Sequence, residues 1–187
     1  MADINMGIGR LGDRDVIFKR KFRWTFEVQD ICGLGGQIIP PHYVKLASRP
    51  NLTFDETEIN YLHGKTFLPG KGTWETITVT YIDVATQDAE PLYRWLASVY
   101  EFNNPVSLRM GNRNNWGATG ILSLYDGCGV EIEQWSMKNL WPQSINFGDL
   151  DYASSDEVTI ELTLRYDQVA YANYCPGFTF EACCDGC

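Results

Sequence analysis

A chain of 187 residues, 44% hydrophobic and 13% aromatic, is long enough to fold as one domain around a sizeable core and too apolar to remain disordered. Its 24 acidic and 15 basic residues leave a formal net charge of −9, which argues against gripping nucleic acid, because that grip comes mainly from Lys and Arg on phosphates. No run approaches the roughly 20 apolar residues that span a bilayer, and residues 1–15 lack the apolar stretch of a secretory signal, so folding in a cytoplasm with reduced thiols is expected.

Residues 1–15 carry Gly7, Gly9 and Gly12 among charges and read as a flexible arm. Phe22, Trp24, Phe26 and Val28 then alternate with Arg23, Thr25 and Glu27, the period of a half-buried strand. Residues 33–36 and Pro40-Pro41 form a loop after it, and residues 43–47 suit a short strand. Residues 51–73 are polar and turn-rich, with Ile59, Tyr61, Phe67 and Leu68 interspersed. They predict a long hairpin or extended loop reaching away from the core, its midpoint near Gly64. Loops of that length usually have a function.

From residue 74 to 83, Ile77, Val79 and Tyr81 face one way and Thr76, Thr78, Thr80 and Ile82 the other, a clear strand. A helix follows: Asp88 is placed to cap it, Pro91 falls in its first turn, and Leu92, Trp95, Leu96 and Val99 form one apolar stripe. Asn103-Asn104-Pro105 ends it. Residues 106–126 predict one or two strands with a polar turn at 112–117, and residues 126–129 a hairpin turn into a strand over 130–140. After Trp141-Pro142, residues 143–156 read as a polar connection. Val158, Ile160, Leu162, Leu164 and Tyr166 then alternate with Glu157, Thr159, Glu161, Thr163 and Arg165 in a last strand, and residues 168–187 form a Cys-rich tail without a period. The predicted fold is mainly β: an antiparallel β-sandwich or partly closed barrel with one short α-helix and a long protruding hairpin. It divides into an arm (1–15), a β domain (16–168) and a tail (169–187).

Charge is unevenly spread: residues 1–23 hold six basic and three acidic side chains, residues 126–167 nine acidic and two basic ones. Such asymmetry can bring copies together head to tail, although a solvated acidic surface accounts for it more simply. Gly7-Ile8-Gly9-Arg10-Leu11-Gly12 has the dinucleotide-fingerprint spacing, but no strand precedes it and no helix follows, so a flexible arm explains the glycines better. Cys175, Cys183, Cys184 and Cys187 put four thiols in 13 residues. They do not form two CxxC pairs, so unbonded thiols come first, ahead of disulfides in a released particle or a metal site. His42 and His63, the two histidines, lie in predicted loops and supply a triad or metal site poorly. Glu131 and Glu133 point to one side of a strand and read as a solvated face, while Asp149 and Asp151 lack calcium-loop spacing. A non-enzymatic protein with no catalytic residues, no cofactor and no metal is expected.

Lys138-Asn139-Leu140-Trp141-Pro142-Gln143-Ser144-Ile145, followed by Asp149-Leu150-Asp151-Tyr152 and the alternating run 158–166, resembles the C-terminal signature of the tail tube protein family of contractile-tailed bacteriophages. That signature is a strand ending in Leu-Trp-Pro, a polar link with a short apolar-acidic stretch, and a final alternating strand closing on an aromatic. Residues 59–79 resemble the family's long hairpin and aromatic-threonine strand, here Gly72-Thr73-Trp74-Glu75-Thr76-Ile77-Thr78-Val79. Trp74, Leu140, Trp141 and Pro142 are the signature residues, and the resemblance spans most of residues 20–168. The Cys128 turn and the Cys-rich tail depart from it, and no role is carried over to them.

The resemblance implies a structural virion protein: six-fold rings, each subunit giving strands to one continuous β-barrel, stacked into the inner tail tube that conducts DNA into the host. The fold is shared with the inner tube of type VI secretion systems. Implied partners are further copies of the chain, a tail sheath protein, baseplate and tail-terminator proteins, and double-stranded DNA passing without specific binding. No membrane anchor is expected; the implied location is the tail of a virion assembled in the host bacterial cytoplasm. Ring-to-ring contacts are expected on the hairpin, at Glu58, Ile59, Tyr61, His63, Lys65, Phe67, Leu68 and Lys71. Physically, edge strands that pair between copies remove the exposed edges, a barrel of many strands leaves a channel, and an acidic or neutral wall lets DNA slide. The inner tube of a type VI-like injection device, or a tube initiator or terminator, would share the architecture. A monomeric glycan-binding β-sandwich, stacking sugars on exposed Trp116 or Trp135, would not polymerise.

Overall fold

Strict alternation commits one side of a strand to the core, and its neighbours in register must bury the same side. The computed structural model describes residues 19–30, 36–85, 89–100, 116–125, 129–153 and 155–173. The elements are β1 (Trp24–Asp30), β2 (Gln37–Ile39), β3 (Val44–Ala47), β4 (Leu52–Tyr61), β5 (Gly64–Trp74), β6 (Ile77–Ile82), α1 (Glu90–Val99), β7 (Ala118–Tyr125), β8 (Glu131–Asn146), β9 (Thr159–Arg165) and β10 (Gln168–Asn173). The main sheet runs β2-β1-β7-β8-β9-β6-β3, with β10 also beside β8, while β4 and β5 form a separate two-stranded ribbon. Its strand pairs are antiparallel.

Alternating residues match across the sheet as the sequence predicts. Ile77, Val79 and Tyr81 stand opposite Leu164, Leu162 and Ile160, and all six are fully buried. Phe26 and Val28 pair with Leu122 and Gly120 on β7. These side chains join one core with Met137, Leu140 and Tyr166, where each buried aliphatic side chain contributes about 1.5–3 kcal/mol. Leu92, Trp95 and Leu96 turn the stripe of α1 into that core, and the Trp95 indole N–H donates to the Trp116 carbonyl at 2.8 Å. The result is a mainly β, antiparallel fold with one α-helix among the described residues and a protruding hairpin.

β8 is the bent spine of the sheet. Its residues up to Leu140 pair with β7, and from Trp141 onward they pair with β9. Asn139 adopts φ 56° at the changeover, and the register shifts between Pro142 and Ser144. A bulge bends a strand, and proline, lacking an N–H, is tolerated there. β9 and β10 follow the bend: Arg165 lies opposite Trp141 and Gln168 opposite Lys138, with the Asp167 N–H donating to the Lys138 carbonyl at 3.1 Å.

Several expectations need correcting. β1 begins at Trp24, leaving Phe22 outside it and 74% exposed. Residues 37–39 form β2, where a loop was expected, because Val28 and Gln29 of β1 offer them a partner. Trp74 ends β5 instead of opening β6. The strand expected to end at Leu140-Trp141-Pro142 runs on to Asn146. Residues 168–173, expected to be an aperiodic tail, form β10 on β8. Glu133, expected on a solvated face, is fully buried. The helix N-cap is Ala89, without a side-chain cap. Asp88, Asn103-Asn104-Pro105, the arm with its glycine motif, residues 106–115 and all six cysteines lie outside the described residues.

Candidate self-assembly surface

The β4–β5 hairpin is a ribbon whose strands, among the described residues, pair only with each other, joined by a two-residue turn at Leu62-His63. Its root is fixed at the sheet: the Ser48 N–H donates to the Thr78 carbonyl at 2.9 Å, the Thr78 N–H to Ser48 Oγ at 2.7 Å, and the Glu75 N–H to the Asn51 carbonyl at 2.9 Å. A register shift lies between Phe54 and Glu56. Opposite it, a Cβ on Gly70 would meet the Asp55 carbonyl oxygen at 2.9 Å, so the close approach requires glycine.

Register sorts the eight predicted contact residues. Thr57 opposes Leu68, Ile59 opposes Thr66 and Tyr61 opposes Gly64, so Ile59, Tyr61 and Leu68 share one face. Glu58 opposes Phe67 and Asn60 opposes Lys65 on the other face, where Lys65 Nζ meets Glu58 Oε1 at 2.6 Å. His63 sits in the turn and Lys71 in β5 beside the register shift. Tyr61, Phe67 and Leu68 are exposed, as are Phe54 and Leu62, which the sequence reading passed over. A lone two-stranded ribbon is marginal in water, and this one bares apolar side chains along its length.

The signature residues do structural work. Trp74 lies at the hairpin root, 6.3 Å from the ring of Tyr166, whose hydroxyl burial pushes up to about 12. Leu140 is in the core, Trp141 packs edge-on against Trp116 at 5.9 Å, and Pro142 is buried at the bend of β8. β2 and β3 end the strand order, and each leaves an unpaired edge among the described residues. On the side of β6, β9 and β8 away from the core, Thr78 adjoins Thr163 and Ser144, and Thr80 adjoins Glu161 and Asn146, a continuous polar face.

Sequence reasoning missed a charge cluster at the start of β8. Lys19 Nζ and Arg49 Nη2 both bond the buried Glu133 carboxylate, which also accepts from the Trp135 indole N–H. Burial alone raises the Glu133 pKa, but the Lys19 and Trp135 hydrogen bonds and the Arg49 charge outweigh it and hold the carboxyl below its ordinary value. The partners lie 114 and 84 residues away in the chain, so no local pattern signals them.

The His42 ring lies tilted against that of Tyr43 at 4.1 Å, and His63 is at the hairpin turn, so the fold does not bring the histidines together. Among the described residues no group of three or more His, Cys, Asp or Glu side chains is placed to hold a metal ion. Trp116 and Trp135, expected exposed in a sugar-stacking module, are half-buried, Trp116 against Trp141 and Trp135 against Tyr171 at 4.5 Å. Among the described residues no helix is long and apolar enough to cross a membrane.

No family model matches the sequence, and no curated protein is significantly similar to it. Solved structures nonetheless share the fold. A chain from the sheath/tube terminator of an extracellular contractile injection system (PVC, extended state) superposes with a TM-score of 0.63 at 20% identity, covering 85% of this chain and 99% of that one. A chain from the PVC sheath-tube complex gives 0.61 at 19% identity, covering 89% and 97%. The SPP1 tail tube gives 0.50 at 13% identity, covering 83% and 80%. The chain therefore shares its fold with components of contractile injection systems and of a phage tail tube.

Proposed function

We propose that this protein is a tail tube subunit: a non-enzymatic structural protein that polymerises as stacked hexameric rings into the inner tube of a contractile bacteriophage tail and conducts DNA into the host. The observation that carries this is the β4–β5 ribbon, anchored at its root, paired among the described residues with no other strand, and exposing Tyr61, Phe67 and Leu68. Such a ribbon gains stability only when another surface covers it, and a second copy supplies that surface at every level of a stack. The exposed edges of β2 and β3 fit the same reading, since strands of neighbouring copies can complete them within a ring.

Glu58, Ile59, Tyr61, His63, Lys65, Phe67, Leu68 and Lys71 then belong to the ring-to-ring contact, with Ile59, Tyr61 and Leu68 as its apolar side. The partners are a surrounding sheath, a baseplate, a terminator and duplex DNA passing without specific binding; the site of action is a virion tail assembled in the host cytoplasm. A second reading, the inner tube of an extracellular injection device, is favoured by the shared fold with the PVC sheath-tube complex. Nucleic acid in the lumen of native particles separates the two. Deleting residues 60–71 tests the proposal: the shortened chain should keep its far-UV and near-UV signatures, yet light scattering should detect no long assemblies. Normal tubes from that variant would overturn it.

A further inference from the structure

Two surfaces at the two ends of β8 complement each other. Near the start of β8, Lys19, Arg20, Lys21 and Arg49 line a groove of about 350 Å³ together with the apolar Trp24 and the exposed Leu46. Glu133 lies beneath and offsets one of the four cations, so the rim stays basic. Where β8 ends at Asn146, the chain enters an exposed loop that carries Asp149, Leu150, Asp151 and Tyr152. Leu150 and Tyr152 are 82% and 111% exposed, so the loop does not occupy the groove of its own copy. Apolar side chains between carboxylates stand at one end of the spine, and apolar side chains among cations at the other.

We infer that the 149–152 loop of one copy docks into the basic groove of a second copy in the next ring, with Leu150 and Tyr152 on Trp24 and Leu46 and the two aspartates against Arg20 and Lys21. This deepens the tube proposal and rests on it. A contact between two different patches of the same chain is head-to-tail, and it repeats without limit along a stack unless a ring closes it. The β4–β5 hairpin leaves just after Arg49, so the groove lies beside the root of the ribbon. Opposite charges steer the encounter and fix its register, while the aromatic and leucine side chains supply contact area.

Arg20 and Lys21 are the informative rim residues, because Lys19 and Arg49 are committed to Glu133. Assembly is measured as the critical concentration for tube formation by the full chain. Asp149→Lys with Asp151→Lys, or Arg20→Glu with Lys21→Glu, should each raise it at least about ten-fold in dilute salt, and all four changes in one chain should restore it to within about three-fold. Tubes mixed from light- and heavy-isotope chains, with a benzophenone side chain in place of Tyr152, should give heavy–light cross-links to peptides covering residues 20–24 or 46–49. Links that land elsewhere in intact tubes, links confined to single copies, or failure of the fourfold variant to recover would overturn the docking and leave the tube reading standing. A probe in place of Leu46 that links only to residues 1–18 would do the same. An unaltered chain that never assembles would defeat both.

Discussion

Glu133 is buried at the start of β8, with two cations and an indole N–H on its oxygens. Its folded-state pKa lies below the ordinary 4.5, so the unfolded chain takes up the proton first as pH falls. The stabilisation is therefore complete above about pH 4.5 and is lost progressively below it, as pH falls through the folded value. Glu133→Gln should cost about 1–3 kcal/mol at pH 7 and leave a shallower acid limb, measured by urea unfolding across pH 3–7. An unchanged acid limb would contradict the role given to this carboxylate. The cluster also ties residues 19 and 49 to the start of β8.

The β4–β5 ribbon is well formed and, among the described residues, pairs with no other strand. Tyr61 and Leu68 share a face through the register Thr57–Leu68 and Tyr61–Gly64. Replacing both with Ser should change monomer stability by no more than about 0.5 kcal/mol, as for other exposed positions, yet abolish extended assemblies in sedimentation velocity. A large stability loss would instead mean that the ribbon packs on its own domain. Elements whose partners repeat their own period were legible in the sequence: β6 and β9 could be read from Ile77–Tyr81 and Ile160–Leu164 because both alternate against the same core. The hairpin and its turn were legible from Gly and Pro punctuation. The continuation of β8 past Pro142 was not, since only the bulge and the left-handed Asn139 make room for it. Nor was β10, whose residues, without a regular apolar period, pair with Glu133 to Lys138 in the first half of β8, nor the burial of Glu133, which depends on cations remote in sequence.

At the scale of the whole molecule, the described residues leave a two-stranded ribbon and the outer edges of β2 and β3 without a strand partner, the surfaces that the tube proposal assigns to other copies. On the tube proposal, the net charge of −9 suits a wall past which DNA would slide, since a lining rich in Lys and Arg would hold phosphates along the whole tube. Filter binding at about 0.15 M salt should show no retention of duplex DNA by assembled tubes, where nanomolar retention would contradict a conducting lumen. The most direct measurement is electron microscopy of the purified full-length chain at rising concentration. Stacked hexameric rings around an open channel are the predicted result, and a monodisperse single-chain particle at every concentration would contradict it.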